Sequence, residues 1–156
     1  MMAQHSGARG SGTISVRRLA GAPEVRRRDV IRAVRCAAGG QPIRSISIVL
    51  AGDDTLARLH QQYMNDPTPT DVLTFDLRDE AAREGIEGEV VVSVDTARRE
   101  AKRRRLPAAQ EILRYVIHGM LHLLEYDDAT PPGRRRMRAR EDAILSELHI
   151  TAAGRR

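Results

Sequence analysis

Apolar and polar positions alternate most clearly in IRSISIVLA, 43–51, where Ile46, Ile48 and Leu50 recur at every second residue and so share one face of a strand. Further short strands are expected in TISVRRL at 13–19, DVLTFDL at 71–77 and EGEVVVSV at 87–94. Elsewhere the period is helical. From Ala108 to Glu125 the residues Ile112, Leu113, Val116, Ile117, Met120, Leu121 and Leu124 form one broad apolar stripe. Further helices are expected from Pro23 to the closing glycines Gly39 and Gly40, through DDTLARLHQQYM behind a capping Asp53 or Asp54, from a capping Asp95 to Arg105, and through RRRMRAREDAILSELHI at 134–150. NDPTPT, 65–70, reads as a rigid loop, because proline removes backbone donors and drives the preceding residue toward extended geometry. RDEAAREGI, 78–86, reads as an acidic loop. Helices interspersed with strands in this way predict an α+β or α/β layer structure with one mixed sheet.

At 156 residues the chain is read as one domain, 13–150, with a disordered Gly-rich tail at 1–12 and a small polar tail at 151–156. No apolar run approaches the roughly 18 to 20 residues of a membrane span, and the opening residues lack the hydrophobic centre of a secretory signal. A soluble chain with no membrane partner is expected. Cys36 is the sole cysteine, which rules out an intramolecular disulfide and points to a reducing compartment, the cytoplasm. The net charge is +5, and its cations are almost all Arg, gathered in RRRDVIRAVR, RREAKRRR and RRRMRAR. Guanidinium forks match phosphate, so three such clusters favour a nucleic-acid partner, although any one alone is equally explained as a solvated helix face. With one Phe, three Tyr and no Trp, a broad base-stacking platform is not expected.

The chemistry concentrates in VIHGMLHLLEYDD, Val116 to Asp128. His118 and His122 lie one turn apart on a stripe shared with Glu111, Arg114, Tyr115 and Glu125, and two imidazoles so placed can grip one ion. Asp127 and Asp128 follow just past the helix. The spacing H-x-x-x-H-x-x-x-x-x-D fits two ligands on a helix and a third on a turn; the alternative is a histidine pair with no ion. Gly119 leaves room for a close backbone or ligand where glycine otherwise weakens a helix. It also disfavours the H-E-x-x-H protease mechanism, whose general base stands at that position.

These residues resemble the YbeY endoribonucleases, also described as ribosomal RNA maturation factors. HGMLHLLEYDD is similar to that family's H-G-x-L-H-L-x-G-Y-D-H, PTDVLTF (Pro69 to Phe75) to its P-T-D-V-L-S-F, and GEVVVSVDTA (Gly88 to Ala97) to its G-E-I-x-I-S-x-D-T-A. The likeness covers about Ser45 to Leu148. It implies a single α+β domain with a small mixed four-stranded sheet packed by helices, and a metal site at the end of the penultimate helix. There one divalent ion, Zn2+, is held by His118, His122 and Asp128. It further implies cleavage of single-stranded RNA in rRNA maturation and ribosome quality control, with rRNA precursors and the ribosome or small-subunit proteins as partners.

This sequence departs from the pattern at three positions. Asp128 replaces a third His, and its charge is expected to weaken the ion as a Lewis acid. Glu125 replaces the turn glycine, so it must accept positive φ or turn the chain differently, and its carboxylate is a possible extra ligand or base. Met64 stands where the family has an Arg that helps hold RNA phosphate; Met cannot donate, and Arg114 on the histidine stripe is the candidate to replace it. His118, Arg114 and Glu125 are thus the expected catalytic residues. The alternative function is a ribosome-associated RNA-binding assembly factor with weakened or lost nuclease activity. Asp127 is expected either to orient an imidazole or to stabilise the turn, Glu89 to buttress a strand end near the site or to form a salt bridge, and Thr70 and Asp71 to fix the proline loop.

Overall fold

Ile43–Ala51 is a central strand, as its alternation predicts, and both of its faces are covered. A computed structural model describes residues 12–66, 70–80 and 84–153, the last four by backbone alone. In chain order the elements are β1 (Thr13–Arg18), α1 (Arg27–Ala38), β2 (Ile43–Ala51), α2 (Asp53–Met64), β3 (Val72–Asp76), β4 (Ile86–Ser93), α3 (Val94–Arg104), α4 (Ala108–Leu123) and α5 (Pro131–Ala153). The sheet order is β1-β2-β4-β3. β1, β2 and β4 run parallel, and β3 lies antiparallel on the edge of β4. Most of the expected N-terminal tail, Pro67 to Pro69 and residues 154–156 of the expected C-terminal tail fall outside the described residues. Among the described residues no helix is long and apolar enough to cross a membrane.

The period of two decides which residues meet which helices. Ile46, Ile48 and Leu50 of β2 join Val90 and Val92 of β4 in the main core, with α1, α4 and α5. The opposite face places Val49, Ala51, Leu73 and Val91 against Leu56 of α2. Helix α4 contributes Ile112, Val116, Ile117, Met120 and Leu121, all fully buried, each stabilising the fold by roughly 1.5–3 kcal/mol. Its other stripe is also largely covered, so Glu111 is 1% exposed and Tyr115 8%.

Gly119 is what lets α4 lie so close to the sheet. A Cβ there would fall 2.3 Å from Val90 Cγ1 and 3.2 Å from Thr74 Oγ1. The space that glycine opens is therefore filled by the sheet, and no side chain, a general base included, fits at 119.

Three local expectations change in the fold. Helix α1 begins at Arg27, and Pro23 starts a preceding turn. That turn is held because Ala22 and Val25 are buried and Arg18 donates to their carbonyls at 2.8 and 3.0 Å. The helix caps also fall on other residues than expected. Gly52 and Ser93 occupy the N-cap positions of α2 and α3, while Asp95 Oδ2 accepts from Asp53 N at 3.0 Å and so caps the other helix. Glu89 shares a face with Val91, the side of the sheet away from α4, so it does not approach the histidines.

A candidate metal centre at the end of helix α4

The last two turns of α4 carry His118 and His122, with ring centroids 4.7 Å apart and planes at 79°. Beyond Leu123 the helix closes in a reciprocal C-terminal motif. Glu125 N donates to His122 O and Tyr126 N to Leu121 O, both at 3.0 Å, with Glu125 in the left-handed region at φ 69. Glu125 therefore takes the backbone conformation that a glycine would adopt there. Arg78, after β3, donates to Leu123 O at 3.0 Å and adds positive charge where the helix dipole favours it.

The chain then returns toward the histidines. Asp127 Oδ1 accepts from Ala129 N at 2.8 Å, which gives Asp127 the turn-stabilising role. Thr130 caps α5, its Oγ1 accepting from Gly133 N at 3.1 Å, and Pro131 takes the first helical position. Gly133 has to be glycine, since a Cβ would sit 2.1 Å from Asp127 O. Two helices and a locked turn thus fix where Asp128 points.

His118 Nε2 and His122 Nε2 are 3.1 Å apart, and Asp128 Oδ2 lies 3.5 Å from the first and 3.6 Å from the second. Tetrahedral ligands at about 2.1 Å from one ion are separated by about 3.4 Å. The triangle fits a divalent ion with room for a fourth ligand. Among the described residues these three form the group of His, Cys, Asp and Glu donors that can hold a metal, and Glu125 is not in it. Burial pushes His122 below the ordinary histidine range, assisted by the neighbouring His118. Burial acts on His118 in the same direction, but its hydrogen bond to Glu141 and the charges of Glu141, Asp128 and Asp71 prevail and raise it.

Glu141 of α5 was not anticipated from the sequence. Its Oε2 lies 3.1 Å from His118 Nδ1, so it fixes the tautomer with Nδ1–H outward and the Nε2 lone pair facing the other donors. Arg114 in turn holds Glu141, at 3.4 Å, together with Asp142 at 2.9 Å and Glu111 at 3.7 Å. Its side chain is only 18% exposed. The guanidinium is thus directed at three carboxylates of the protein. Tyr115 is buried and its hydroxyl pushed up to about 12 by that burial, which keeps it protonated.

His118 and Asp128 open onto a cleft of about 460 Å3 lined by Asp71 and Val72 at the start of β3, by Thr96, Glu100 and Arg104 of α3, and by Arg134, Met137 and Arg138 of α5. Asp71 also anchors the strand edge, its carbonyl accepting from Ser93 N at 2.8 Å, and Thr70 Oγ1 donates to Val72 O at 3.1 Å. Met64 is half exposed and lies outside the cleft lining. Cys36 is half buried, and burial pushes its thiol up, away from reactivity.

Fold and site together define a single-domain α+β protein with a His-His-Asp donor set in an open cleft. The family model described as Endoribonuclease YbeY matches residues 25–149. The chain is 44% identical over 117 residues to an Endoribonuclease YbeY of Salinibacter ruber, covering 71% of this chain and 74% of the relative. It is 37% identical over 126 residues to that of Chlorobium phaeovibrioides, covering 81% and 82%. A solution structure of a protein from Thermotoga maritima aligns with a TM-score of 0.64 at 23% identity, over 91% of this chain and 93% of the other, a likeness of fold. The chain belongs to the YbeY endoribonuclease family.

Proposed function

We propose that this protein is a Zn2+-dependent endoribonuclease that cuts single-stranded RNA, acting on ribosomal RNA precursors in the cytoplasm during maturation and quality control of the ribosome. The observation that carries the reading is the convergence of His118 Nε2, His122 Nε2 and Asp128 Oδ2 at the mouth of a cleft in a chain of this family. A divalent ion held there supplies Lewis acidity toward a phosphoryl oxygen and water. His118, His122 and Asp128 orient it, and Glu141 keeps His118 turned toward it. Arg114 serves as a positioning residue through Glu141. Glu125 serves the turn, with its exposed carboxylate in the field of Arg78.

The test is incubation of the metal-loaded chain with a single-stranded RNA, with and without a chelator, beside His118→Ala. Cleavage lost on chelation and in the variant is the expected result; cleavage that survives in His118→Ala contradicts it. A second reading, an RNA-binding assembly factor with weakened nuclease activity, is favoured by Met64 standing outside the cleft and by the engagement of Arg114 with protein carboxylates. Stable RNA or ribosome binding without turnover by the metal-loaded chain is its distinguishing result.

A further inference from the structure

Helices α3 and α5 each bring a run of cations to the cleft, and the two runs differ in what surrounds them. At the end of α3, Lys102, Arg103 and Arg104 occupy the last turn, where the helix dipole favours positive charge. Glu100 is ion-paired with both Arg103 and Arg104. Local electrostatics account for that run. The start of α5 has the opposite arrangement: Arg134, Arg135, Arg136 and Arg138 follow Pro131 with no acid in the first turn. Positive charge there opposes the dipole and repels itself, so it weakens the helix that carries it. Arg135, Arg136 and Arg138 are exposed and make no hydrogen bond or ion pair among the described residues.

An anion from outside would complete this face. Arg134 and Arg138 lie one turn apart and line the same cleft as His118 and Asp128. Arg134 also rests on the ligand-bearing loop, donating to Asp128 O at 3.3 Å. The cations continue from the cleft onto the exposed face of α5, as a polymeric anion requires and a single small anion does not. Guanidinium forks match backbone phosphates, and contacts confined to phosphate carry no base preference. We infer that the start of α5, with Arg134 and Arg138 at the cleft wall and Arg135 beside them, is the track that grips the phosphates of single-stranded RNA beside the metal-ligating end of α4. The position of the track relative to the cut rests on the nuclease reading above; the binding itself does not.

The test measures anisotropy of a fluorescein-labelled oligouridylate across a range of salt concentrations. A His118→Ala background prevents turnover. Arg135→Ala with Arg138→Ala is compared with Lys102→Ala with Arg103→Ala on α3. The α5 pair is expected to weaken binding about tenfold at moderate salt and to flatten the plot of log affinity against log salt by about 1.4, that is about 0.7 for each phosphate of a single strand that is no longer neutralised. Its Tm stays level or rises, and the α3 pair loses less than half as much affinity. Native affinity and slope in the α5 pair, equal losses in the two pairs, or a lowered Tm with an unchanged slope overturns the inference. Cleavage by the native chain is scored separately: a metal-loaded chain that binds through α5 but does not cut removes the nuclease reading and leaves the track standing.

Discussion

Two polar clusters sit at helix ends, one at the start of α3 and one at the end of α4, and they differ in how their atoms are satisfied. Where β4 runs into α3, Asp53 Oδ1 accepts from Ser93 Oγ at 2.6 Å and Thr96 Oγ1 at 2.8 Å, Asp53 Oδ2 accepts from Arg99 at 2.7 Å, and Asp95 accepts from Asp53 N. Each of these bonds joins a donor to an acceptor, so the cluster closes on itself. At the end of α4 the arrangement is reversed. Two imidazole nitrogens and a carboxylate oxygen face one another, whereas the nearby Glu111 Oε1 and Arg114 Nε, buried without a hydrogen bond, are ion-paired to each other at 3.7 Å. Buried polar atoms are ordinarily satisfied, so acceptors that converge mark a place for a cation, whereas a closed network marks structure.

Substitutions on the two sides should separate these roles. Glu141→Gln keeps the shape but weakens the grip on His118 Nδ1, and metal affinity is expected to fall about 10- to 100-fold with little change in fold; calorimetric titration of the metal into the variant checks this, and native affinity would detach Glu141 from the site. Asp53→Asn should leave metal affinity unchanged and lower stability by about 1 kcal/mol at neutral pH, a figure limited by screening because the Asp53 side chain is 40% exposed. Arg99, then Ser93 and Thr96, hold the Asp53 carboxyl at about 2. The stabilisation is therefore complete above a pH of about 4 and disappears as the pH falls through about 2, where variant and native chain unfold alike. Urea unfolding at a series of pH values reads this directly.

Glu125→Gly tests the turn that joins His122 to Asp128. Relief of positive φ should stabilise the chain by about 0.5–1 kcal/mol, seen as a Tm raised by about 2 °C, with metal affinity retained. A loss of metal affinity would make the Glu125 carboxylate a ligand after all.

How much of this was legible in the sequence depends on whether the cause was local. β2 follows from period-two alternation, the other strands from short apolar runs bounded by polar loops, and α4 from its stripe. His118, His122 and Asp128 lie within eleven residues of one another, so their spacing carried the donor set. The cap that Asp95 supplies to α2 was not legible, because Asp53 and Asp95 are both good capping residues and only the fold brings Asp95 to the start of α2. Arg114 read as a free cation because Glu141 and Asp142 come 27 and 28 residues later. Glu141 did leave a trace. It interrupts the apolar stripe of α5, Met137, Ile144, Leu145 and Leu148, and a carboxylate on a core-facing stripe calls for a partner. The sheet side of Gly119 left none, since a glycine that admits a ligand and one that admits Val90 look the same.

Titration of Zn2+ into the metal-free chain, followed by calorimetry in parallel with His122→Ala and Asp128→Ala, bears most directly on the convergence of donors at the end of α4. One ion per native chain, with binding lost or strongly weakened in both variants while their helical content is retained, is the predicted result. A folded native chain that takes up no divalent ion, or variants that bind as the native chain does, would contradict it.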